Sequence, residues 1–191
     1  MGVEMKIKKA LLLNLSVSLM VLASGCLTFR SQRVDINFSD DFLSGSIQVT
    51  YTGLGSTESD LEKQREDFEQ LRKAVEENDF LLDAMEDGIY VQSIELNKEG
   101  DGLTGSYSGI FRALKMDGQQ LLVQGAERML VVGKEKGCTI RSNGKITEDE
   151  ENFTLIWPKI EHNIWYELSC DRHEPVHSLV AYFDAWKQTD N

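Results

Sequence analysis

Prolines, cysteines and positive charges are all scarce in this chain: of 191 residues two are proline and three cysteine, and 20 basic side chains face 32 acidic ones. No stretch is Pro-rich, Gln-rich or otherwise low in complexity, and 41% of the residues are hydrophobic, which argues against wholesale disorder and for a packed core. The shortage of positive charge disfavours a nucleic-acid partner, since a formal charge of −12 repels phosphate backbones. No internal repeat is present. Nor does any apolar run reach the roughly 20 residues that a helix needs to cross the hydrocarbon core. The apolar run from Ala10 to Leu22 is about 13 residues, too short for a lasting transmembrane anchor.

What is present at the start is a three-zone pattern. Lys6, Lys8 and Lys9 make a basic opening, the apolar run follows, and Ala23, Ser24 and Gly25 end it with small residues. That order predicts a secretory signal over residues 1–25. Met5 offers an alternative start that leaves Glu4 outside the basic zone. Glu4 and the three lysines together carry +2, so with the signal set aside the formal total of −12 becomes −14 on the remainder.

Leu22-Ala23-Ser24-Gly25-Cys26 resembles the lipobox of bacterial lipoproteins. The resemblance implies that a diacylglycerol is transferred to the Cys26 thiol and that cleavage follows just before it. Two or three acyl chains on Cys26 then give stable anchoring, at about 0.8 kcal/mol per buried methylene. Leu27 is not the aspartate that retains lipoproteins in the inner membrane in the best-known sorting scheme, which implies the outer membrane. Leu27 to Arg33 contains Arg30 and Arg33 and no acidic residue, so the expected face is periplasmic. Residues 26–33 are expected to be a lipidated tether, and 34–191 a single domain.

In that domain Val34, Ile36 and Phe38 alternate with polar residues, as do Ile47, Val49 and Tyr51, which predicts a hairpin with one buried face. Residues 57–77 change to helical spacing, with Leu61, Phe68, Leu71 and Val75 on one stripe and Thr57-x-x-Asp60 or Ser59-x-x-Glu62 as capping candidates. A short helix is expected at Phe80 to Asp87, stopped by Gly88. Strands return at Ile89 to Asn97 and Leu103 to Arg112, joined by a hairpin at Asp101-Gly102. More follow at Arg128 to Val132, Thr139 to Thr147, Asn152 to Trp157 and Asn163 to Ser169. Either Asn143-Gly144 or Glu148 to Glu151 can supply the turn among these. Pro175 is expected to open a last helix with Val176, Leu179, Val180, Phe183 and Trp186 on its core side. The fold class is thus α+β: a mainly antiparallel curved sheet of about six to eight strands packed against two main helices.

Candidate chemistry is thin. Gly105-Ser106-Tyr107-Ser108-Gly109 has tyrosine where a hydrolase elbow needs serine, and reads as a strand of small residues beside a close backbone approach. His173 and His177 are weak metal candidates with His162 as a third ligand, but Pro175 interrupts their register and no zinc-enzyme signature accompanies them. Glu148 to Glu151 lacks the spacing and glycine of a calcium loop. Cys138 and Cys170 can pair in an oxidising compartment, closing a loop of about 33 residues. A simple meander, however, would put them at opposite ends of parallel strands.

No nucleophile, base and oxyanion donor can be assembled, and no cofactor signature is present. The expectation is a noncatalytic binding or envelope-structural role with an unidentified envelope protein as partner. The alternative is a carrier or assembly factor with a concavity for a small apolar ligand or an outer-membrane protein, which needs a pocket lined by inward strand residues. A metal-dependent hydrolase is the third class.

Overall fold

The computed structural model describes residues 26–76, 85, 88–112, 115–116, 119–171 and 175–189. The fold is α+β, mostly antiparallel sheet with two helices, as the periodicities predict. The short helix expected at Phe80 to Asp87 lies almost wholly outside the described residues. In chain order the elements are β1 (Leu27–Thr28), β2 (Ser31–Phe38), β3 (Ser44–Ser56), α1 (Leu61–Glu76), β4 (Ile89–Glu99), β5 (Gly102–Arg112), β6 (Lys115–Met116) and β7 (Gln119–Gln120). They continue with β8 (Leu122–Gln124), β9 (Glu127–Gly133), β10 (Cys138–Ser142), β11 (Lys145–Glu148), β12 (Asn152–Pro158), β13 (Asn163–Cys170), β14 (His177–Ser178) and α2 (Val180–Thr189).

The large sheet runs β10-β13-β2-β3-β5-β4, with β1 and β14 pairing the end of β3, and a second sheet runs β11-β12-β9-β8. Its inward face follows the alternation of the sequence. Val34, Ile36 and Phe38 of β2 pair with Val49, Ile47 and Gly45 of β3, and Ile164 and Tyr166 of β13 extend the same face. Leu130, Val132, Phe153, Leu155 and Trp157 of the smaller sheet join these in one core.

Of the two turn positions open to the Thr139 to Thr147 stretch and its neighbour, the structure uses both, and the chain bends at Asn143-Gly144. β10 pairs with β13 in the large sheet, whereas β11 pairs with β12 in the small one. A Cβ at Gly144 would lie 2.6 Å from Trp157 Nε1 and 2.7 Å from the Ile156 carbonyl oxygen, so only glycine fits this corner. Asn143 buckles the two sheets together. Its side-chain oxygen accepts from Trp157 Nε1 and the Trp165 amide, both at 2.9 Å, and its amide nitrogen donates to the Asn163 carbonyl at 2.7 Å. The acidic segment is accordingly the β11–β12 turn, where Asp149 accepts from the amides of Glu151 and Asn152. Those two bonds hold the Asp149 carboxyl below its ordinary range.

Residues 26–33, expected as a free tether, are part of the sheet. Leu27, Thr28 and Phe29 are all buried, and Leu27 and Thr28 pair with Ser56 and Gly55. Two features allow it. Leu27 and Phe29 carry apolar surface that a solvated linker would expose, and β3 irregularly bends at Gly53, whose φ of 65° lets the chain pass Arg30 closely.

α1 is capped by Asp60 itself, which accepts from the amides of Glu62 and Lys63. Of its predicted stripe Phe68 is fully buried, Leu71 and Val75 are partly so, and Leu61 is exposed. α2 starts five residues later than predicted, at Val180, because His177 and Ser178 form β14 against β3. Its anchors are Leu179 at 0% exposure and Phe183 at 8%, while Trp186 is half-buried against Phe68 and Phe183 and donates to Glu76. Leu179→Ala should therefore cost about 3 kcal/mol and Trp186→Ala clearly less, measured by urea unfolding. A larger loss at Trp186 would contradict the packing of α2.

Candidate functional site

Cys26 stands where the sheet begins, and a polar network surrounds it. Its carbonyl accepts from the Thr57 amide at 2.8 Å and its sulfur donates to Glu58 Oε1 at 2.8 Å. Glu58 is positioned from below: its amide donates to Ser56 Oγ, and its carbonyl accepts from Gln64 of α1. Ser56, with 0% exposure, donates to the buried Asp67 at 2.6 Å. Polar α1 residues thus occupy the face where the sequence pattern leaves a gap between Leu61 and Phe68. The hydrogen bond to Glu58 raises the Cys26 thiol above its ordinary range and, reciprocally, lowers the Glu58 carboxyl. The sulfur is half-buried at the rim of the domain.

The other candidate residues separate. His177 pairs with Ser56 at one end of β3, whereas His162 lies at the other, with Nδ1 2.9 Å from the Phe38 carbonyl oxygen and its ring against Phe42. Phe38 pairs with Gly45, and Gly45 to Ser56 spans roughly 35 Å along an extended strand. His162 and His177 cannot share an ion, and His173 lies outside the described residues. The three-histidine centre is therefore not assembled, because β14 places His177 in the sheet and not on a helix.

Cys138 and Cys170 are brought together as a disulfide, with Cα atoms 4.0 Å apart. They are register partners on antiparallel strands, so the meander expected from the sequence, which put them on parallel strands, does not hold. β10 does not follow a neighbour in the chain but pairs with β13, the strand that returns beside β2. Glu135 lies beside the two sulfurs, yet their bond leaves no thiolate for a metal.

Gly105 to Gly109 lies in β5 and makes no elbow. Tyr107 is buried and Ser106 and Ser108 are on the opposite face, while a Cβ at Gly105 would meet Leu54 at 2.9 Å.

Two features escaped the sequence reading. Arg128 is 1% exposed, with its guanidinium carbon 4.0 Å from the Phe38 ring centre and 5.0 Å from that of Phe42. Nη1 donates to the Glu161 carbonyl at 2.9 Å, Nη2 has no partner among the described residues, and burial lowers the group's pKa. It clamps the small sheet onto the β2–β3 turn. The signal was available, since Arg128, Leu130 and Val132 alternate and place Arg128 inward. The second feature is the outward face of the large sheet, whose side chains on β2 and β3 include Asn37, Ser46 and Gln48 where lysine and glutamate usually sit.

Among the described residues no helix is long and apolar enough to cross a membrane. No protein-family model, curated protein or solved structure matches this chain.

Proposed function

We infer that this chain is a lipoprotein of the cell envelope, anchored through acyl chains on Cys26, with a noncatalytic binding role at the periplasmic face of the outer membrane. The observation that carries the reading is the place of Cys26 beside its lipobox. Its sulfur lies at the rim, immediately before β1, so acyl chains leave the fold without crossing the core. A thioether sulfur has no hydrogen, so lipidation removes the donor to Glu58 and leaves that carboxylate to Lys63, 3.4 Å away. With β1 paired to β3, almost no free chain separates lipid from fold, and the domain rests directly on its membrane.

Binding is favoured over carriage of an apolar ligand inside the sheet. The inward residues that would line such a concavity, among them Val34, Ile47, Val49 and Ile164, are each at most 3% exposed and pack in the common core. The metal-dependent hydrolase reading is disfavoured, since His162 and His177 are at opposite ends of β3.

Metabolic labelling with a radioactive fatty acid tests the anchor. The wild-type chain should take up label and remain with the membrane fraction, globomycin should make the unprocessed chain accumulate, and Cys26→Ser should abolish labelling. Continued acylation of Cys26→Ser would sink the lipoprotein reading.

A further inference from the structure

The outward face of the large sheet has a composition and a shape that the anchor does not explain. Register partners on paired strands share a face, about 4.8 Å apart. Across β13, β2, β3, β5 and β4 one row reads Trp165, Asp35, Gln48, Ser108 and Ser93. The next reads Asn163, Asn37, Ser46, Ile110 and Tyr90. A groove of about 370 Å³ lies here, crossing the strands instead of following one. Four strand spacings make the double row roughly 19 Å long.

Four amide side chains line this groove, those of Asn37, Gln48, Gln92 and Asn163. None has a hydrogen-bond partner among the described residues. All four are exposed, so their amide groups are hydrated and open to a ligand. Gln92 is moreover the extra residue of a β-bulge between Val91 and Ser93, a device that re-aims a side chain. Asp35 is the one charged residue in the lining, and Arg33 holds it with two bonds of 2.8 Å. The same guanidinium lies 4.4 Å over the Trp165 ring and pins it. Trp165 ends one row, and Tyr90, 55% exposed, ends the other at the far edge.

We propose that this groove binds an uncharged glycan chain, an inference that rests on the binding half of the reading above and not on the anchor. Each free amide offers a donor and an acceptor side by side, which suits the hydroxyl pairs of a sugar ring. Trp165, which lines one end of the groove, receives the apolar C–H face of a sugar. Other ligand classes fit worse. An apolar ligand would strip water from four amides and give no bond in return. A peptide adding a strand needs a sheet edge, and this groove crosses the middle of the sheet. A polyanion meets a chain of formal charge −12 without a basic side chain in the groove lining.

The test is calorimetric titration of the full chain, in a detergent without a sugar headgroup, with cellohexaose and with chitohexaose. Binding of either supports the proposal, and the pair shows whether the acetamido group contributes. Trp165→Ala should weaken binding about tenfold, the scale of one lost aromatic contact. Gln48→Ala combined with Gln92→Ala should weaken it severalfold, and all these outward variants should melt near the wild type. If Trp165→Ala does not fold, the double variant of the exposed Gln48 and Gln92 decides. Cys26→Ser should bind as the wild type does, so a failed anchor and a failed groove are told apart. Absence of heat with both hexasaccharides, or undiminished binding in Trp165→Ala and in the Gln48→Ala, Gln92→Ala double variant, overturns the proposal.

Discussion

A chain that begins at Ser31 should melt about 10 to 40 °C below one that begins at residue 26 and carries Cys26→Ser, although the two differ by only a short segment. The segment carries Leu27 at 6% exposure and Phe29 at 7%, the latter edge-on to Tyr51 with ring centres 5.2 Å apart. Removing a buried leucine and a buried phenylalanine costs about 2 to 5 and 3 to 5 kcal/mol respectively, and each kcal/mol lowers the melting temperature of a domain this size by about 2 to 4 °C. Backbone groups are lost as well. β1 pairs with β3, the Arg30 amide donates to the Thr52 carbonyl, and the Cys170 amide donates to the Arg30 carbonyl. Differential scanning calorimetry of the two chains decides the matter. Equal melting temperatures would return residues 26–33 to the status of a tether. Cys26→Ser alone should be nearly neutral, since the thiol is at the rim and its partner Glu58 keeps Lys63.

Opening the Cys138–Cys170 disulfide should be the next largest loss, about 3 to 4 kcal/mol on the chain-entropy account for a loop of this size. That corresponds to a melting temperature lower by about 6 to 16 °C in the presence of reductant. Position adds to the effect. β10 is the edge of the large sheet, and its chain continues through Asn143 into the small sheet, so a loosened β10 weakens the bond between the two. The double variant Cys138→Ala with Cys170→Ala should melt at the same lowered temperature with or without reductant. If reductant lowers the wild type by less than a degree or two, the bridge does not hold this edge in place.

Much of this architecture was legible locally. Alternation in Val34-Asp35-Ile36 and Ile47-Gln48-Val49 is enough for the β2–β3 hairpin, because each residue's face follows from its neighbour's. The hairpin expected at Asp101-Gly102 is present with its turn one residue earlier, at Gly100-Asp101, and the stripe through Phe68, Leu71 and Val75 marks α1. The anchor candidate Cys26 is legible for the same reason, as its motif is a run of adjacent residues. The amides of the groove are individually visible in the sequence but unremarkable there, since one outward asparagine on a strand says nothing about its neighbours.

What the sequence by itself determined, then, is where most of the longer strands and helix α1 lie, which side of each is apolar, and that the whole is α+β. Tertiary structure decided which strands meet. It set β13 between β10 and β2, which joins Cys138 to Cys170, and it laid β1 and β14 on the end of β3, which absorbs the tether and carries His177 away from His162. The same pairing aligned Trp165, Asp35, Gln48 and Ser108 across neighbouring strands into a groove. The physical reason is that periodicity is a property of successive residues, whereas partner choice depends on how apolar surfaces far apart in the chain bury one another.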